Sequence, residues 1–535
     1  MKDQEEKFVL IVEAHFYDDI AEELANRSLS MPGNVTMVQI DQTAAVFLTD
    51  VNAFSGGFGD APLFPMTVAQ ELLWRAYIRS GDDNYRDAVT RTLDAMVRGG
   101  IYDHLGGGFF RYTVDPAWNV PHFEKMLDVN ANMVRLMTEV WRETRSTLLA
   151  RAIEDTVAFM AREMRLSGGG FASALDADSL FKASGEEEEG AFYLWDRKSI
   201  ERVLGDNTDE FMGLFDLAEI EGAPTGFGNL LAIDDGDSDA LRRALFKARA
   251  RRPRPRRDAK VLVDWNAMAI TALTEAALAF DRPGWLDMAE QAFAFVDKSL
   301  RDESGNLRHS WYAGTVATPA TLDDFSGLAG AALTLFEATG KNTYLEKASG
   351  LTKVAIKRLW QQGRGVFLAT QENAGPQLLR AAPIYDNPNV AGNARMIDTL
   401  ARLFYLGGED SDYKYAERLR KSFGGEASDP SFGLSGYLNG VETLQTALQV
   451  VIIGKRGERP TDQLIRAVMA RSLPTRTFQV IGPKAELPEG HPARYKVMVD
   501  GQPTAYVCKG TFCSLPAITL GELSESLTAL RRTDY

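Results

Sequence analysis

The chain has 535 residues, 45% of them hydrophobic and 25% charged, which is enough to bury a large core in one or more units. Its formal net charge of −15 excludes general binding to nucleic acid or to an anionic membrane, because most of the surface would repel a polyanion. The sequence contains neither a long unbroken apolar run nor a signal-peptide pattern, and its two cysteines cannot build a disulfide framework. We therefore expect a cytoplasmic protein with a small or neutral partner.

Residues 1–55 predict a small and incomplete unit. A strand-like run, KFVLIVEAHF, is followed by a helix-like run, YDDIAEELANRSL, and a second apolar stretch, VTMVQI. These elements bury too little surface to be stable alone. We expect them to pack on the domain that follows.

Residues 56–450 predict an (α/α)6 barrel, a mainly α fold. Apolar residues recur at helical spacing, and the segments alternate between helices that are apolar on all sides and amphipathic helices with one charged face. The apolar class predicts inner helices, and the amphipathic class predicts outer helices. The inner helices start near residues 66, 128, 264, 322, 389 and 434. The sixth outer helix is the least clear, and we assign it to DQLIRAVMARSL at 462–473.

One interval between inner helices is too long and predicts an insertion over 172–262. It contains an acidic run at Glu186–Glu189 and the basic linker RARRPRPRR at 249–257, in which prolines prevent a helix. We interpret the linker as a solvated crossover rather than a nucleic-acid arm. Residues 451–535 change to strand-like runs with two helices and predict a small α/β subdomain. Cys508 and Cys513 there lack the spacing of a redox or zinc motif and are interpreted as structural thiols, with a redox role as the alternative.

In such a barrel the inner helices are parallel, so the connections that precede them meet at one mouth. This geometry gathers three of the five histidines, several carboxylates and several aromatic rings on one rim. Rings and carboxylates together are suited to a neutral polyol such as a sugar. The candidate catalytic residues are His122, His104, His309, Asp103 and Arg111. The candidate substrate-binding residues are Tyr102, Trp118, Asp176, Asp178, Trp265, Asp323, Trp311 and Asn393.

His122 is the main candidate for a general base. Pro121 suits a first helical position, so we expect His122 in the first turn of a helix, where the helix dipole would lower its pKa. Glu124 would then point away from His122 and form a structural salt bridge. Asp264 and Asp323 precede apolar helices and are equally well explained as helix caps.

Several blocks of the sequence resemble one family, the thioredoxin-domain-containing proteins of the spermatogenesis-associated and bacterial YyaL type. The blocks are GGFGDAPLFP at 56–65, GGIYDHLGGGFFRYTVDPAWNVPHFEKML at 99–127, SALDADS at 173–179, GEEEEGAFYLW at 185–195, DWNAM at 264–268, LDDFSGL at 322–328 and AYVCKGTFC at 505–513. The resemblance implies an N-terminal thioredoxin-like domain with a Cys-His-Trp-Cys-His signature, followed by a six-hairpin barrel similar to N-acylglucosamine 2-epimerases.

The chain departs from that family at several positions. Residues 1–55 contain no cysteine, so they would be a thioredoxin-like remnant without the dithiol site. Leu63 stands where the family usually has lysine, Asp128 and Val129 replace a Tyr-Asp pair, and VAGNA at 390–394 lacks the usual Pro-Ser. These changes leave open an altered or weakened activity.

Three functions remain open. In a sugar epimerase or isomerase, His122 would remove the proton next to the carbonyl of a ring-opened sugar, His104 or His309 would return it, and Arg111 would stabilise the enediolate. In a glycoside hydrolase, two carboxylates from Asp103, Asp176, Asp178 and Asp323 would lie roughly 5–10 Å apart. The third is a non-catalytic glycan-binding or scaffold protein. No cofactor and no metal are expected, because the sequence has neither a phosphate-binding loop nor diagnostic ligand spacing.

Overall fold

The computed structural model describes residues 35–532 apart from 182–184, 222, 224, 373–379 and 511. The strand-like and helix-like runs expected before residue 30, together with His15, lie outside these described residues. The helices are, in chain order, α1 (Met37–Asp50), α2 (Thr67–Ser80), α3 (Asp83–Arg98), α4 (Leu127–Thr144), α5 (Thr147–Phe159), α6 (Arg197–Leu204), α7 (Thr208–Met212), α8 (Asp239–Arg249), α9 (Val263–Phe280), α10 (Pro283–Ser299), α11 (Leu322–Thr339), α12 (Asn342–Leu359), α13 (Gly392–Gly407), α14 (Asp410–Phe423), α15 (Ser435–Thr446), α16 (Arg459–Met469) and α17 (Leu520–Arg531).

The predicted (α/α)6 barrel is confirmed. Within the described residues, six inner helices pack side by side in a closed ring in the order α2, α4, α9, α11, α13 and α15, and α15 returns to α2. The inner helices carry small and apolar residues on most sides, as in α11, where fifteen of eighteen residues are buried. That distribution suits a helix that is enclosed by neighbours on every side.

The outer helices α3, α5, α10, α12 and α14 each pack against the inner helix that precedes them in the chain. The sixth outer position is filled by α1, which packs on the inner helices α2 and α15. Our assignment of the sixth outer helix to residues 462–473 is therefore wrong, because that segment forms α16 in the C-terminal subdomain. Helix α1 contributes Ile40, Ala44 and Phe47 to the barrel core. The predicted domain borders and the thioredoxin-like interpretation of residues 1–55 stay predictions.

Outer helix α5 ends in a π-helical turn at Met160–Met164, and short 3-10 turns occur at Gly205–Asn207, Glu426–Ser428 and Phe432–Leu434.

The connections at the barrel mouth are built from short antiparallel strands. The paired strands are Tyr112–Thr113 with Pro121–His122; Lys125–Met126 with Ala174–Leu175 and Arg257–Asp258; Asp178–Leu180 with Glu187–Glu189; Val261–Leu262 with Arg308–Tyr312 and Thr315–Pro319; and Trp360–Gln361 with Val366–Phe367.

The insertion between α5 and α9 has a small core of its own. Strand Phe227–Ala232 lies between Trp195–Asp196 and Phe215–Glu219, and helices α6, α7 and α8 cover this sheet. Leu105 from the long mouth loop is part of the same core. The insertion is thereby packed directly on the loop at 99–126.

The C-terminal subdomain closes the end of the barrel opposite the mouth. Its sheet has the strand order Arg476–Ile481, Leu448–Ile453, Thr504–Lys509 and Phe512–Cys513, and α16 connects the two parallel strands. Arg476 reaches into the barrel and pairs with Glu275 of α9 at 3.0 Å. Cys508 and Cys513 lie opposite each other on the last strand pair and form a disulfide. Our interpretation of them as free structural thiols is therefore wrong.

Among the described residues, no helix is both long enough and apolar enough to cross a bilayer.

Candidate active site at the barrel mouth

The loops at the mouth are attached to the inner helices by a repeated asparagine clamp. In three repeats an asparagine near the start of an inner helix accepts the backbone N–H of a buried phenylalanine and donates to its carbonyl, at 2.7–3.0 Å: Asn130 with Phe109, Asn266 with Phe171 and Asn393 with Phe367. Asn393, a predicted substrate contact, is fully buried in this clamp. Its amide is used inside the fold, and we do not propose it as a substrate contact.

Three inner helices carry a carboxylate at their second position, and in α4 and α9 the clamping asparagine follows it two residues later. These residues are Asp128 in α4, Asp264 in α9 and Asp323 in α11. They do not cap their helices, because the cap positions are Met126, Leu262 and Thr321. Burial raises the pKa of all three carboxyls above the usual range of aspartate. Each of these three carboxyls therefore keeps its proton to a higher pH than an exposed aspartate does.

His309 stands beside two of these helix starts. Its Nδ1 donates to both carboxylate oxygens of Asp324 at 3.0 Å, and Asp324 is fully buried, where it also accepts from the backbone and hydroxyl of Thr321. The hydrogen bond that His309 donates to Asp324 raises the pKa of His309 to about 9. Fixing Nδ1 in this way leaves Nε2 as the nitrogen that can exchange a proton with a ligand.

Asp264 completes this group. Ligand atoms of Asp264, His309 and Asp324 all lie within 4.8 Å of one another. Burial, followed by the nearby Asp324 carboxylate, raises the pKa of Asp264 to about 7. Its Oδ1 is buried and has no hydrogen-bond partner among the described residues. A buried carboxyl that has no hydrogen-bond partner and lies next to an imidazolium is better explained by a role in proton transfer than by a role in stabilising the fold.

Asp264, His309 and Asp324 are also the group of described residues that could hold a divalent cation. Imidazole nitrogen and carboxylate oxygen are common ligands of Zn²⁺ and Mn²⁺. However, Asp324 already accepts hydrogen bonds from both His309 and Thr321, so its oxygens are occupied without a metal. The hydrogen bonds alone therefore account for the position of the Asp324 side chain.

The mouth also contains a cleft of about 470 Å³ between α2, α4 and the segment before α13, and Asp264, His309 and Asp324 are not among the residues that line it. Such a volume fits a small ligand. Asn389 donates to Asp128 at 2.8 Å and accepts from Asn132 at 2.8 Å, which joins opposite walls of the cleft. The polar side chains that line the cleft include Arg111, Asp128, Asn132, Asp386, Asn387 and Asn389.

Asp386 is a second carboxyl that lines the cleft. Its two oxygens accept backbone N–H groups of Ala391 at 2.9 Å and of Gly436 at 2.6 Å. Burial raises the pKa of Asp386 to about 7. Gly436 is required here, because a Cβ at that position would lie 2.7 Å from the Asp386 carboxylate. Asp386 therefore ties the start of α15 to the cleft.

Most titratable side chains of the loop at 99–126 form hydrogen bonds or ion pairs that fix the conformation of the loop. His104 is buried, its Nε2 lies 3.0 Å from the Gly99 carbonyl, and its ring packs on Tyr102 and Phe215. Burial and the nearby Arg242 lower the pKa of His104 to about 4. It lies against the insertion rather than in the cleft.

Asp103 is the centre of a buried ion cluster. It accepts two hydrogen bonds from Arg249 at 2.8 Å and one from Lys125 at 2.7 Å, and all three side chains are at most 4% exposed. These two cations hold the pKa of Asp103 well below its usual range despite its burial. This environment fits an anchor between the loop and the insertion better than a catalytic acid.

His122 lies in a strand, so our expectation of a first helical turn is wrong. Pro121–His122 pairs with Tyr112–Thr113, and the helix starts only at Leu127. Residues two apart in a strand share a face, so Glu124 lies beside His122, with 3.8 Å between Oε2 and Nε2, instead of pointing away. Glu124 also forms the expected salt bridge, to Arg111 at 3.1 Å.

His122 is placed behind the wall of the cleft. Its ring stacks on Tyr112 at 5.0 Å, and Tyr112 in turn contacts Phe64, which lines the cleft. Its Nδ1 lies 2.7 Å from Glu189 of the acidic hairpin. Of the predicted catalytic residues in this loop, Arg111 is the one that lines the cleft directly.

The predicted rings and the acidic pair have different environments. Tyr102 and Trp118 are buried, with Tyr102 donating to Asp155 and Trp118 donating to the Ser55 carbonyl. Trp265 and Trp311 are half-buried at the rim, and Trp311 packs edge-on against Phe295. Asp176 and Asp178 are exposed at the acidic hairpin, where Asp178 pairs with Glu189 in register. Burial and the neighbouring Asp176 raise the pKa of Asp178.

Sequence reasoning missed several residues of the mouth. Asp264 and Asp324 lie at predicted helix starts but are outside the candidate set, and Asp128 is named only as a departure from the family. The repeated pattern of an aspartate two residues before the clamping asparagine, Asp128-Val-Asn130 and Asp264-Trp-Asn266, could have drawn attention to them. Asp386 and Asn389 carry no such signal, because they lie in an irregular connection.

No model of a protein family matches the chain. It is similar to an uncharacterised protein of Caenorhabditis elegans, with 28% identity over 532 residues that cover 88% of this chain and 70% of the relative. Among solved structures, a D-mannose isomerase aligns over 74% of this chain and 87% of its own, with 14% identity and a TM-score of 0.48. Spermatogenesis-associated protein 20 of Homo sapiens is 28% identical over 527 residues, which cover 88% of this chain and 67% of the human protein. The chain is thus similar over most of its length to spermatogenesis-associated protein 20, which supports the family resemblance found in its motifs.

Proposed function

We propose that this protein catalyses proton transfer on a small carbohydrate at the barrel mouth, as an isomerase or epimerase of sugars. The observation that supports this most directly is the pair formed by Asp264 and His309, whose ligand atoms lie within 4.8 Å. With a pKa near 7 on Asp264 and near 9 on His309, the pair holds one ionised base and one protonated acid between these pH values. That is the combination that general acid–base catalysis requires.

In this proposal each group has one role. The Asp264 carboxylate takes the proton from the carbon next to the carbonyl of a ring-opened sugar, while protonated His309 gives its Nε2 proton to the carbonyl oxygen. The resulting enediol is converted when Asp264 returns its proton to the neighbouring carbon and a hydroxyl returns one to His309. Asp324 acts as a positioning residue, because it fixes the ring of His309 through Nδ1.

The short distance between the two groups favours isomerisation. Epimerisation that uses two groups on opposite faces of a carbon needs the substrate between them, and Asp264 and His309 are too close for that. Both would act on one face, as in the transfer of a proton between neighbouring carbons. The predicted mechanism with two histidines is replaced here, because His104 is buried and His122 lies behind the cleft wall.

A sugar as substrate is supported by the lining of the cleft at the mouth. Arg111, Asn132 and Asn389 offer donors, Asp128 offers an acceptor, and Phe64 and Phe432 offer apolar faces. A neutral polyol can use all three kinds of contact at once. A cytoplasmic location, expected from the sequence, agrees with such a substrate.

The test is exchange of substrate hydrogen in heavy water. A panel of aldoses, ketoses and N-acyl sugars is incubated with the enzyme, and deuterium at the second carbon is measured by NMR. We expect incorporation with at least one sugar and a loss of roughly 100-fold or more in Asp264→Asn. Asp287→Asn, on the exposed face of α10, is the matched control and should keep the full rate.

Two outcomes would overturn this assignment. Absence of exchange with every sugar removes the proposed reaction. Loss of exchange after treatment with EDTA, with recovery on addition of Zn²⁺ or Mn²⁺, would assign Asp264, His309 and Asp324 to a metal instead of a proton pair.

Glycoside hydrolysis is the second candidate, favoured by the two carboxyls that line the cleft with raised pKa values, Asp128 and Asp386. A protonated carboxyl near neutral pH is what a hydrolase needs as its general acid. It ranks second because both oxygens of Asp386 are already held by backbone N–H groups. Release of nitrophenol from nitrophenyl glycosides, abolished in Asp128→Asn, would favour it.

A further inference from the structure

A second cavity lies outside the barrel mouth, between outer helix α5 and the insertion, and has a volume of about 290 Å³. Phe159, Phe192, Tyr193 and Phe246 provide its aromatic walls. Five cationic side chains line it against two carboxylates, Asp103 and Glu163. The cations are Lys125, Arg162, Arg249, Arg254 and Arg257.

We infer that this cavity is a binding site for a phosphate group, either free or carried by a small molecule. The inference is independent of the proposed function, because the cavity shares no residue with the cleft or with His309.

The charges of this cavity are not balanced by the protein. Asp103 is shared by Arg249 and Lys125, and Glu163 is shared by Arg162 at 2.8 Å and Arg254 at 2.5 Å. Arg257 donates to the Glu163 carbonyl at 3.1 Å and has no carboxylate of its own in this cavity. The described residues therefore leave an excess of three positive charges on a protein whose formal net charge is −15. A dianionic ligand would offset most of that local excess.

The floor of the cavity is already dehydrated. Lys125 is 1% exposed and lies over the rings of Phe110, Phe159 and Tyr193 at 4.5–5.2 Å. Arg249 is 4% exposed, and its Nε is buried without a hydrogen-bond partner among the described residues. Burial lowers the pKa of Lys125 to about 8, and the neighbouring Asp103 carboxylate opposes this shift. A buried donor without a partner, in a cationic cavity, indicates an anionic acceptor.

The rim of the cavity is open to ligands. The side chains of Arg162 and Arg254 are 37% and 50% exposed, and each has N–H groups beyond those that bond Glu163. Guanidinium groups bind phosphate and carboxylate alike through two parallel hydrogen bonds, but a phosphate dianion offsets more of the positive excess than a carboxylate does. The basic linker at 249–257, interpreted from sequence as a solvated crossover, supplies three of the five cations.

Binding is measured by isothermal titration and by thermal shift on the full chain, with sodium phosphate, glucose 6-phosphate and sodium acetate, against sodium chloride at equal ionic strength. We expect saturable binding of phosphate or of glucose 6-phosphate and weaker binding of acetate. Binding of phosphate alone would identify the free ion as the ligand, and tighter binding of glucose 6-phosphate would identify a phosphate ester.

The matched variants decide whether the site is this cavity. The double variant Arg254→Ala/Arg257→Ala should weaken phosphate binding by at least tenfold. Arg256→Ala removes one positive charge from the same linker, at a side chain that is 81% exposed and does not line the cavity, so it should leave binding unchanged. The side chains that these variants remove are exposed on the linker. The melting temperature of each variant without ligand reports any loss of folding. A shift that chloride reproduces, or equal weakening in Arg256→Ala, would overturn the inference.

Discussion

Two segments at the barrel mouth are rich in titratable side chains, the loop over 99–126 and the strand and helix start over 308–324. In the loop, Asp103 is held by two buried cations and His104 by a backbone carbonyl. In the second segment, His309 keeps one nitrogen available and faces Asp264, whose Oδ1 has no partner among the described residues. The comparison shows that a segment dense in titratable side chains can use them for contacts within the fold as readily as for catalysis. A catalytic role requires a group that still lacks an intramolecular partner after folding.

The largest effect that we predict distinguishes the histidines of these segments. His309→Asn should lower kcat/KM for deuterium exchange by roughly 10²–10⁴-fold, because it removes the proposed acid. His122→Asn should lower it by less than about tenfold, since His122 stands behind Tyr112 and Phe64. Equal losses in the two variants would break the comparison.

The second prediction concerns stability in the loop. Asp103→Asn should lower the free energy of unfolding by about 3–5 kcal/mol, because Lys125 and Arg249 remain buried without their carboxylate. Urea denaturation followed by circular dichroism measures the change. A variant that remains as stable as the natural chain would show that the ion cluster is not the anchor of the loop.

The third prediction is a pH profile of the second segment. Activity should rise as Asp264 ionises near pH 7 and fall as His309 loses its proton near pH 9, by about tenfold per pH unit beyond each limb. His309→Asn should remove the upper limb from the residual activity. A flat profile between pH 6 and 10 would contradict the assigned roles.

The same two groups determine a change of stability with pH. Both pKa values are raised in the folded chain, Asp264 from 3.8 to about 7 and His309 from 6.5 to about 9, so the folded state binds more protons than the unfolded state. Their stabilising contribution is complete below the unfolded values and is lost as the pH rises through 7 and then through 9. Melting temperatures of the natural chain and His309→Asn, compared from pH 6 to 10, measure this loss.

The smallest predicted change in stability concerns the partly exposed salt bridge between Glu124 and Arg111 in the loop. Glu124 and Arg111 are 24% and 40% exposed, so Glu124→Gln should change the free energy of unfolding by at most about 1 kcal/mol. This variant is the control for Asp103→Asn, because both remove a carboxylate from the same loop. A loss as large as that of Asp103→Asn would mean that burial does not decide the strength of these pairs.

Sequence pattern predicted the barrel well because each inner helix and its outer partner are close in the chain. The exception is α1, whose partners on α15 lie about 400 residues away, as in the hydrogen bond from Gln445 to the Val35 carbonyl. Helical periodicity reports which face of a segment is apolar but not which distant helix covers it. The same limit explains why 462–473, with a strong amphipathic pattern, was assigned to the wrong position.

The site was less predictable than the barrel. Position in the repeat placed His309 and Asp323 at the mouth, but the fate of Asp103 depends on Arg249, which is 146 residues away. His122 was misassigned because Pro121 is compatible with both a first helical turn and an edge strand. The identity of a partner from a distant segment decides whether a charged group is used for folding or left available.

The position of α1 also has a consequence for how the chain folds. Ring closure joins residues near the start of the described chain to α15, so the last gap in the barrel wall cannot be filled until residue 446 has left the ribosome. During synthesis the five preceding hairpins would form an open arc with an apolar seam on both sides. Contacts over such a separation slow folding and expose aggregation-prone surface. Chaperone dependence during translation is therefore expected to follow from the topology, independently of the chemistry at the mouth.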